Sequence, residues 1–333
     1  MTIVVTGATG QLGRLVVEAL LDQNVPAGRI VAAGRDLAKV ADLADRGVQV
    51  RQIDFQDPAS LRRAFAGAGK VLLISGSEPG KRVEQHQNAI TAAKDAGVGL
   101  ITYTSIANAD HTDMQLAAEH QATEEALVAS GLPFALLRNG WYLENYTDQL
   151  RTYLEHGAVL GSAGDGRVSA ATRADYARAA AAVLLRDDQA GKVYELGGDT
   201  PFTLSELAAE VGAAAGRTVT YQDLPVGQYT EVLVGAGLPA GYAAILADSD
   251  LGIARGELLV TSGDLSALIG RPATSMREAV VAAAASRHEG TVQGADDGWG
   301  REPRSQRALK RRRPRLTPDP HAPASKVAGP TPC

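Results

Sequence analysis

The first half of the chain alternates short apolar runs with segments whose apolar residues recur at helical spacing. Several runs are continuously apolar, as expected for parallel strands whose sheet is covered on both faces. The predicted strands are Thr2–Thr6, Arg29–Ala33, Val48–Ile53, Lys70–Ile74, Leu100–Thr104 and Phe134–Leu137. The predicted helices are Gln11–Gln23, Leu37–Arg46, Ser60–Ala66, Val83–Ala96 and Leu116–Ser130. This alternation predicts βαβ units and therefore an α/β fold with a doubly wound parallel sheet.

After about Asn139 the alternation loosens. Thr203 and Glu206 have the spacing of a capping box, in which the two side chains bind free N–H groups at a helix start. We expect a helix from there to about Ala215, followed by a strand. The later predicted elements are the strand Thr218–Gln222 and helices near Gly227–Gly235, Leu265–Ile269 and Met276–Ser286. Together they predict a smaller, mostly helical C-terminal cap against the carboxyl edge of the sheet.

Composition places the chain among ordinary globular proteins. Its 333 residues are 45% hydrophobic and 21% charged, enough to bury a sizeable core in about two domains. No apolar run approaches the roughly 20 residues that span a membrane, so no membrane insertion is predicted. The single cysteine, Cys333, excludes a disulfide framework, and the six histidines lack metal-ligand spacing, so no metal is predicted. These features fit a cytoplasmic setting.

The net charge of -5 is an average over two unlike parts. Residues 287–333 carry 10 Lys and Arg against 5 Asp and Glu, which leaves 23 against 33 for residues 1–286. The tail is rich in proline and charge and poor in apolar residues, so it is predicted to be disordered. A basic run at Arg304–Arg315 could contact nucleic acid, but disorder without such a partner is the favoured interpretation.

A glycine-rich loop lies between the first predicted strand and the first helix. It contains Gly7, Gly10 and Gly13 in the spacing G-x-x-G-x-x-G. The first glycine permits a tight turn, the second lets the backbone approach a pyrophosphate, and the third allows close packing of helix on strand. Because the loop follows a strand and opens a helix, it predicts a dinucleotide-binding Rossmann domain with the pyrophosphate at the helix N-terminus.

The end of the second strand is where such a domain meets the adenosine ribose. Arg35 lies 22 residues after Gly13, and a guanidinium there suits a 2′-phosphate. Asp36 is adjacent and could instead accept a hydrogen bond from a free 2′-hydroxyl. The arrangement favours NADPH over NADH, with NADH as the weaker cofactor.

Further motifs give the chain a family resemblance. They are Gly7–Gly13, Leu72–Ser77, Thr102–Ser105, Leu136–Tyr142 with Glu144–Tyr146, Ala171–Tyr176 and Lys192–Leu196. With them the chain resembles the NmrA-like, atypical branch of the short-chain dehydrogenases/reductases and, within it, the bacterial flavin-free NAD(P)H:quinone oxidoreductases. The resemblance extends to about residue 280. The predicted organisation is residues 1–150 as the Rossmann core, 151–286 as remaining core elements and the substrate-binding cap, and 287–333 as a tail that has no counterpart in the family.

The resemblance also implies a set of site residues. The cofactor would be held by Gly7, Ala8, Thr9, Gly10, Gln11, Leu12, Gly13, Arg35, Ser75, Gly76, Ser77, Asn139, Gly140, Trp141 and Tyr142. A quinone would meet Trp141, Tyr142, Glu144 and Tyr146. The aromatic side chains could stack on a flat ring, or they could plug the junction between sheet and cap, since large amphipathic side chains do both.

The Tyr-x-x-x-Lys pair of typical short-chain dehydrogenases is missing. Leu116 stands in the tyrosine place and His120 in the lysine place. His120 is the one candidate proton donor, although a surface histidine without a catalytic role is the favoured interpretation, and His86 is interpreted as helix surface or a contact to a neighbouring loop. A quinone needs no strong positioned acid, so direct hydride transfer from the nicotinamide without flavin is expected.

Two functions remain open at this point. The first is two-electron reduction of a quinone with NADPH. The second is a non-catalytic, NAD(P)-binding redox sensor of the NmrA type, which the missing Tyr-x-x-x-Lys pair allows. The sequence leaves a homodimer open.

Overall fold

Seven parallel strands form the main sheet. The computed structural model describes residues 1–76 and 78–290. The strands are β1 (Thr2–Val5), β2 (Ile30–Gly34), β3 (Gln49–Gln52), β4 (Ala68–Leu73), β5 (Leu100–Ile106), β6 (Phe134–Asn139), β7 (Ala158–Gly161), β8 (Lys192–Leu196) and β9 (Thr220–Asp223). The main sheet has the order β3-β2-β1-β4-β5-β6-β8, and β7 pairs with β9 in a separate parallel sheet. The predicted α/β fold with a doubly wound parallel sheet is confirmed.

Helices follow the strands, and in the first half their bounds are close to those predicted, except that the predicted helix Leu37–Arg46 is a 3-10 helix followed by a short α-helix. In the first half they are α1 (Gln11–Asp22), α2 (Ala41–Asp45), α3 (Pro58–Phe65), α4 (Arg82–Asp95) and α5 (Gln115–Ser130), with short 3-10 helices at Ala27–Arg29 and Leu37–Val40. In the second half they are α6 (Glu144–Thr147), α7 (Leu150–His156), α8 (Arg173–Leu185), α9 (Leu204–Ala215), α10 (Val226–Gly235), α11 (Ala240–Ala254), α12 (Asp264–Ile269) and α13 (Met276–Gly290).

Both faces of the main sheet are covered, which explains the continuously apolar strands. In β1, Ile3 and Val5 pack on one face with α1 and α8, whereas Val4 packs on the other face with α3, α4 and α5. Parallel strands joined by crossover helices require this arrangement, because the helices alternate between the two faces. Strand alternation therefore sorts side chains between two apolar layers rather than between core and solvent.

The second half contributes to both the sheet and the cap. A third apolar cluster joins α6, α7, α9 and β7, with Leu143, Phe202 and Leu207 among its buried members. The predicted capping box is confirmed: the Thr203 hydroxyl accepts the Glu206 N–H at 3.1 Å, and the Glu206 carboxylate accepts the Thr203 N–H at 2.9 Å. The C-terminal region is mostly helical, as predicted.

Several elements of the second half were not predicted. Residues 173–185 form α8, which is rich in alanine and buried on most sides, so it lacks the apolar stripe that marks an amphipathic helix. Residues 192–196 form β8, an edge strand whose first residues are exposed and whose pattern is therefore weak. Tertiary packing, rather than local pattern, stabilises both elements.

Residues Met1–Arg287 form one compact unit, so the division at residue 150 stays a prediction. Within the described residues, no helix is both long and apolar enough to cross a bilayer. The disordered tail was predicted to begin at residue 287, but α13 continues to Gly290, so the prediction is wrong for residues 287–290. The rest of the predicted tail, with the basic run and Cys333, lies outside the described residues.

Candidate cofactor and substrate site

The predicted site segments meet at the carboxyl edge of the main sheet. The glycine loop follows β1, Arg35 follows β2, Ser75 and Gly76 follow β4, and Asn139 ends β6. Strands β2 and β4 lie on either side of β1. The connection that follows β1 and the connection that follows β4 therefore leave in opposite directions along the sheet. Ligands of open α/β sheets bind in the crevice at such a switch point.

The glycine loop needs glycine at the first and third positions. Gly7 has φ +64°, a left-handed conformation that favours glycine. A Cβ atom on Gly13 would lie 2.3 Å from the Gly7 carbonyl oxygen and 2.8 Å from the Ala8 Cα. These neighbours are backbone atoms, so α1 can lie this close to the loop only with glycine at position 13.

The N-terminus of α1 is open to an anion. Gly10 is the N-cap residue, no side chain caps the helix, and its first turn contains no acidic residue. Gly10 and Gln11 are exposed. The free N–H groups of the first turn and the helix dipole attract negative charge, so the geometry fits a pyrophosphate.

Arg35 lies beside a cleft of about 710 Å³ at the ends of β2 and β3. Its side chain is 70% exposed, and its guanidinium donates a hydrogen bond to Glu78 at 2.9 Å. Asp36 accepts the Ala38 N–H and caps the 3-10 helix Leu37–Val40. The Asp36 carboxylate is therefore used to cap the adjacent 3-10 helix. The Arg35 guanidinium faces the cleft, and its partner Glu78 is a partly exposed carboxylate that a ligand anion can replace.

Sequence reasoning missed most of the other residues that line this cleft. They include Arg51, Gln52, Asp54, Asp57 and Arg63. Three arginines and two aspartates thus line the same cleft, and Arg63 lies 3.8 Å from Asp57. Arg51 is on β3 and Arg63 is on α3, and no local motif links them to Arg35. The parallel pairing of β2 with β3 brings Arg51 beside Arg35, and the packing of α3 on the sheet adds Arg63.

The segment after β4 is held by side chains rather than left free for a ligand. Each of three successive N–H groups has one acceptor: Ile74 donates to the Thr6 hydroxyl, Ser75 to the Thr104 hydroxyl and Gly76 to the His86 ring, at 3.0, 2.9 and 3.0 Å. This segment can therefore meet a cofactor through its surface and its side chains, but not through these N–H groups. Ser77, also a predicted cofactor residue, lies outside the described residues.

Asn139 ends β6, and Gly140 follows it beside the segment 168–171. The Asn139 side chain is 5% exposed, and its Oδ1 has no hydrogen-bond partner among the described residues. A Cβ atom on Gly140 would lie 3.0 Å from the Ser169 carbonyl oxygen. A contact between this acceptor and the nicotinamide stays a prediction.

Trp141 and Tyr142 point to different packing layers. Trp141 is half-buried against the cap cluster. The Tyr142 ring packs edge-on to Tyr176 at 5.4 Å, and the Arg173 guanidinium lies 4.9 Å from its centroid. Burial raises the pKa of the Tyr142 phenol, so this group stays protonated and can donate a hydrogen bond. The two aromatic residues plug the junction, and their exposed portions remain candidates for lining the acceptor pocket.

Glu144 has a structural contact that the sequence did not indicate. Its two carboxylate oxygens accept the Arg173 N–H at 2.9 and 3.0 Å, at the N-terminus of α8. A carboxylate at a helix N-terminus is favourable to the helix dipole. A direct role of Glu144 toward a quinone stays a prediction.

Tyr146 carries a buried hydroxyl that has no hydrogen-bond partner among the described residues. Its ring packs edge-on to Phe202 at 5.9 Å within the cap cluster. Burial raises the pKa of this phenol well above its ordinary range, and the nearby Asp250 adds to the rise. A direct contact between this hydroxyl and a quinone stays a prediction.

Asp250 makes the stability of the cap depend on pH. Burial raises its pKa from 3.8 to about 6, although it accepts the Ser162 N–H at 2.8 Å. Stability from this carboxyl is thus fully present below about pH 4 and is lost as pH rises through 6. Asp250→Asn stays neutral and keeps an oxygen for Ser162. In urea titrations, we expect the free energy of unfolding of Asp250→Asn, relative to that of the wild type, to increase by about 2 to 3 kcal/mol from pH 4 to pH 8.

Asp165→Asn is the matched control for this prediction. Asp165 is exposed in the same cap, and its substitution should leave the pH dependence unchanged. Equal pH slopes for Asp250→Asn and the wild type would contradict the role of Asp250.

His120 and His86 are both buried, so their interpretation as surface residues is wrong. His120 is 5% exposed, and its Nδ1 lies 2.8 Å from the Tyr103 hydroxyl. Burial lowers its pKa well below the ordinary value, so His120 is neutral at pH 7. His86 is fully buried and does contact a neighbouring loop, as the alternative interpretation held. Helices α4 and α5 pack on the sheet and on each other, which buries polar positions that their sequences leave unmarked.

The fold and the site together define an NmrA-like dinucleotide-binding protein. Residues 1–252 match the NmrA-like family, and the chain belongs to that family. The resemblance inferred from the motifs is thereby confirmed.

Individual relatives are reductases. The chain is 51% identical over 278 residues to quinone oxidoreductase 2 of Escherichia coli (strain K12), covering 84% of this chain and 97% of that protein. The crystal structure of the E. coli NADPH-dependent quinone oxidoreductase in complex with NADPH has a TM-score of 0.81 and 50% identity, covering 84% of this chain and 98% of that one. Triphenylmethane reductase of Citrobacter sp. has a TM-score of 0.81 at 40% identity, covering 86% and 100%.

Proposed function

We propose that this protein is an NADPH-dependent quinone oxidoreductase that transfers two electrons by direct hydride transfer, without flavin. The observation that carries the cofactor part of the proposal is the uncapped N-terminus of α1, open to an anion, together with the exposed Arg35. The identity of 51% to an E. coli quinone oxidoreductase, over nearly its whole length, supports the same activity. The protein is an oxidoreductase of the NmrA-like family, and NADPH is its cofactor.

The residues of the crevice divide the binding of NADPH among them. The first turn of α1 would hold the pyrophosphate, and Arg35 would hold the 2′-phosphate by charge-assisted hydrogen bonds. Asn139 to Tyr142 would line the nicotinamide, with the Asn139 Oδ1 as an acceptor for its carboxamide. When bound, the cofactor supplies the hydride; the protein supplies binding and orientation.

The acceptor pocket would lie where Trp141, Tyr142 and Tyr146 meet the cap. A flat quinone could stack on an aromatic side chain, and the Tyr146 hydroxyl could donate to one of its oxygens. Leu116, in the place of the usual catalytic tyrosine, packs against the cap cluster. We infer that water protonates the hydroquinone anion that hydride transfer leaves, because this phenolate-like oxygen needs no strong acid.

NADH should serve less well than NADPH, because it lacks the phosphate that Arg35 would bind. We expect neither flavin nor metal to take part, and we place the protein in the cytoplasm. A homodimer remains compatible with the proposal. A non-catalytic NAD(P)-binding regulator is the alternative, and the identity to an oxidoreductase favours the enzyme.

The direct test follows NADPH absorbance with a benzoquinone acceptor and purified, flavin-free protein. We expect turnover without added flavin and faster turnover with NADPH than with NADH. A triarylmethane dye as second acceptor tests the breadth of the pocket. Cofactor binding without any loss of absorbance would refute the enzyme and support the regulator.

A further inference from the structure

A buried histidine is one of the three hydrogen-bond acceptors that hold the segment after β4. Thr6 and Thr104, the first two acceptors, come from the ends of neighbouring strands. The third, His86, comes from α4 and is fully buried. The segment borders the crevice between β1 and β4, so the orientation of His86 bears directly on the surface offered to a dinucleotide.

The hydrogen bonds around His86 permit only one tautomer. The Gly76 N–H can only donate, so the Nε2 atom that lies 3.0 Å away must be unprotonated. The proton of the neutral ring is then on Nδ1, which lies 2.9 Å from the Thr123 hydroxyl oxygen. That hydroxyl donates its own proton to the Glu119 carbonyl at 2.8 Å, which leaves its oxygen free to accept. Donors and acceptors thus alternate consistently from Gly76 to Glu119.

A second residue of α4 holds the other side of Gly76. The Arg82 Nε donates to the Gly76 carbonyl at 2.7 Å. Arg82 and His86 are four residues apart, so they lie one above the other on the same face of the helix. Arg82 is 5% exposed and has Glu119 at 3.4 Å. Two side chains of one helix therefore fix the N–H and the C=O of a single residue at the crevice.

We propose that His86 is a positioning residue for the cofactor, fixing Gly76, and with it Ser75, in the orientation that NADPH requires. This inference rests on the proposed function. Burial lowers the pKa of His86 to about 3, and the positive charge of Arg82 contributes, so the ring is neutral at physiological pH. The anchor therefore persists from pH 5 to pH 8 and is not a pH switch.

Three variants separate the lost acceptor from general damage to α4. His86→Leu removes the acceptor, whereas His86→Gln can place an amide oxygen where Nε2 lies. Gln87→Leu is the matched control, because Gln87 is the adjacent, exposed residue of the same helix. We expect His86→Leu to raise KM and Kd for NADPH about tenfold, with kcat within about threefold. Both values should stay within about threefold of the wild type in His86→Gln and Gln87→Leu.

NADH and NMR provide independent readouts. His86→Leu should weaken the binding of NADH by the same factor as the binding of NADPH, because Gly76 does not line the cleft beside Arg35. Long-range ¹H–¹⁵N NMR of the wild type should show His86 protonated on Nδ1 alone from pH 5 to pH 8. This measurement remains decisive if His86→Leu does not fold.

The possible outcomes distinguish this inference from the proposed function. An Nε2-protonated ring, unchanged NADPH binding in His86→Leu, or equal losses in folded His86→Leu and His86→Gln would overturn the role of His86. A wild type that binds NADPH but reduces no quinone would overturn the proposed function and leave the positioning role standing.

Discussion

Gly13→Ala is expected to abolish measurable NADPH binding, with a loss in affinity of at least about 100-fold. The added methyl group would lie 2.3 Å from the Gly7 carbonyl oxygen and 2.6 Å from its carbon. Backbone atoms cannot rotate away as side chains do, so α1 must move off the loop. That movement displaces the N–H groups of its first turn and should lower the free energy of unfolding by about 1 to 3 kcal/mol.

Isothermal titration with NADPH and urea denaturation measure the two effects. Gly28→Ala is the matched control, since a Cβ atom on Gly28 would have no neighbour within 4 Å and its φ is not positive. The control should bind NADPH as the wild type does. Wild-type affinity in Gly13→Ala would show that the close approach of α1 to the loop is unimportant for the cofactor.

Arg35→Ala is expected to remove the preference for NADPH over NADH. Charge-assisted, bidentate hydrogen bonds to a phosphate contribute about 1.5 to 3 kcal/mol, so KM for NADPH should rise about 10- to 100-fold. KM for NADH should change less than about threefold, because NADH has no 2′-phosphate. The Arg35–Glu78 ion pair joins two substantially exposed side chains, so its loss should matter little to stability.

The measurement is a pair of KM values for each variant, with the same quinone at saturation. Arg46→Ala serves as the control, because Arg46 is another exposed arginine and pairs with Glu18 rather than facing the cleft. Equal increases in KM for NADPH and NADH in Arg35→Ala would refute the 2′-phosphate role and direct attention to Arg51 and Arg63.

Local chemistry determined the first half of the fold and the core of the cofactor site. The predicted strands and helices there agree with the structure within a few residues, because covered parallel strands and amphipathic helices leave clear patterns. The Gly7–Gly13 loop and the Thr203–Glu206 capping box were equally readable. Each is a short-range device whose residues interact within a few positions, so spacing alone identifies it.

Only the tertiary structure decided the environment of the buried polar residues. His86 meets Thr123 across 37 positions, and His120 meets Tyr103 across 17. A histidine on a helix that packs on both sides gives no local sign of its burial. Its burial is tolerable only because partners from distant segments satisfy its nitrogens.

The same distinction applies to the acceptor side of the site. The sequence by itself determined that Trp141, Tyr142 and Tyr146 follow the sixth strand of a dinucleotide-binding sheet. It could not determine that Glu144 caps α8 or that the Tyr146 hydroxyl is buried without a partner among the described residues. Those facts depend on α8 and the cap, which pack beside β6 from segments far along the chain. Strand order and spacing are local properties, whereas burial and hydrogen-bond satisfaction belong to the assembled fold.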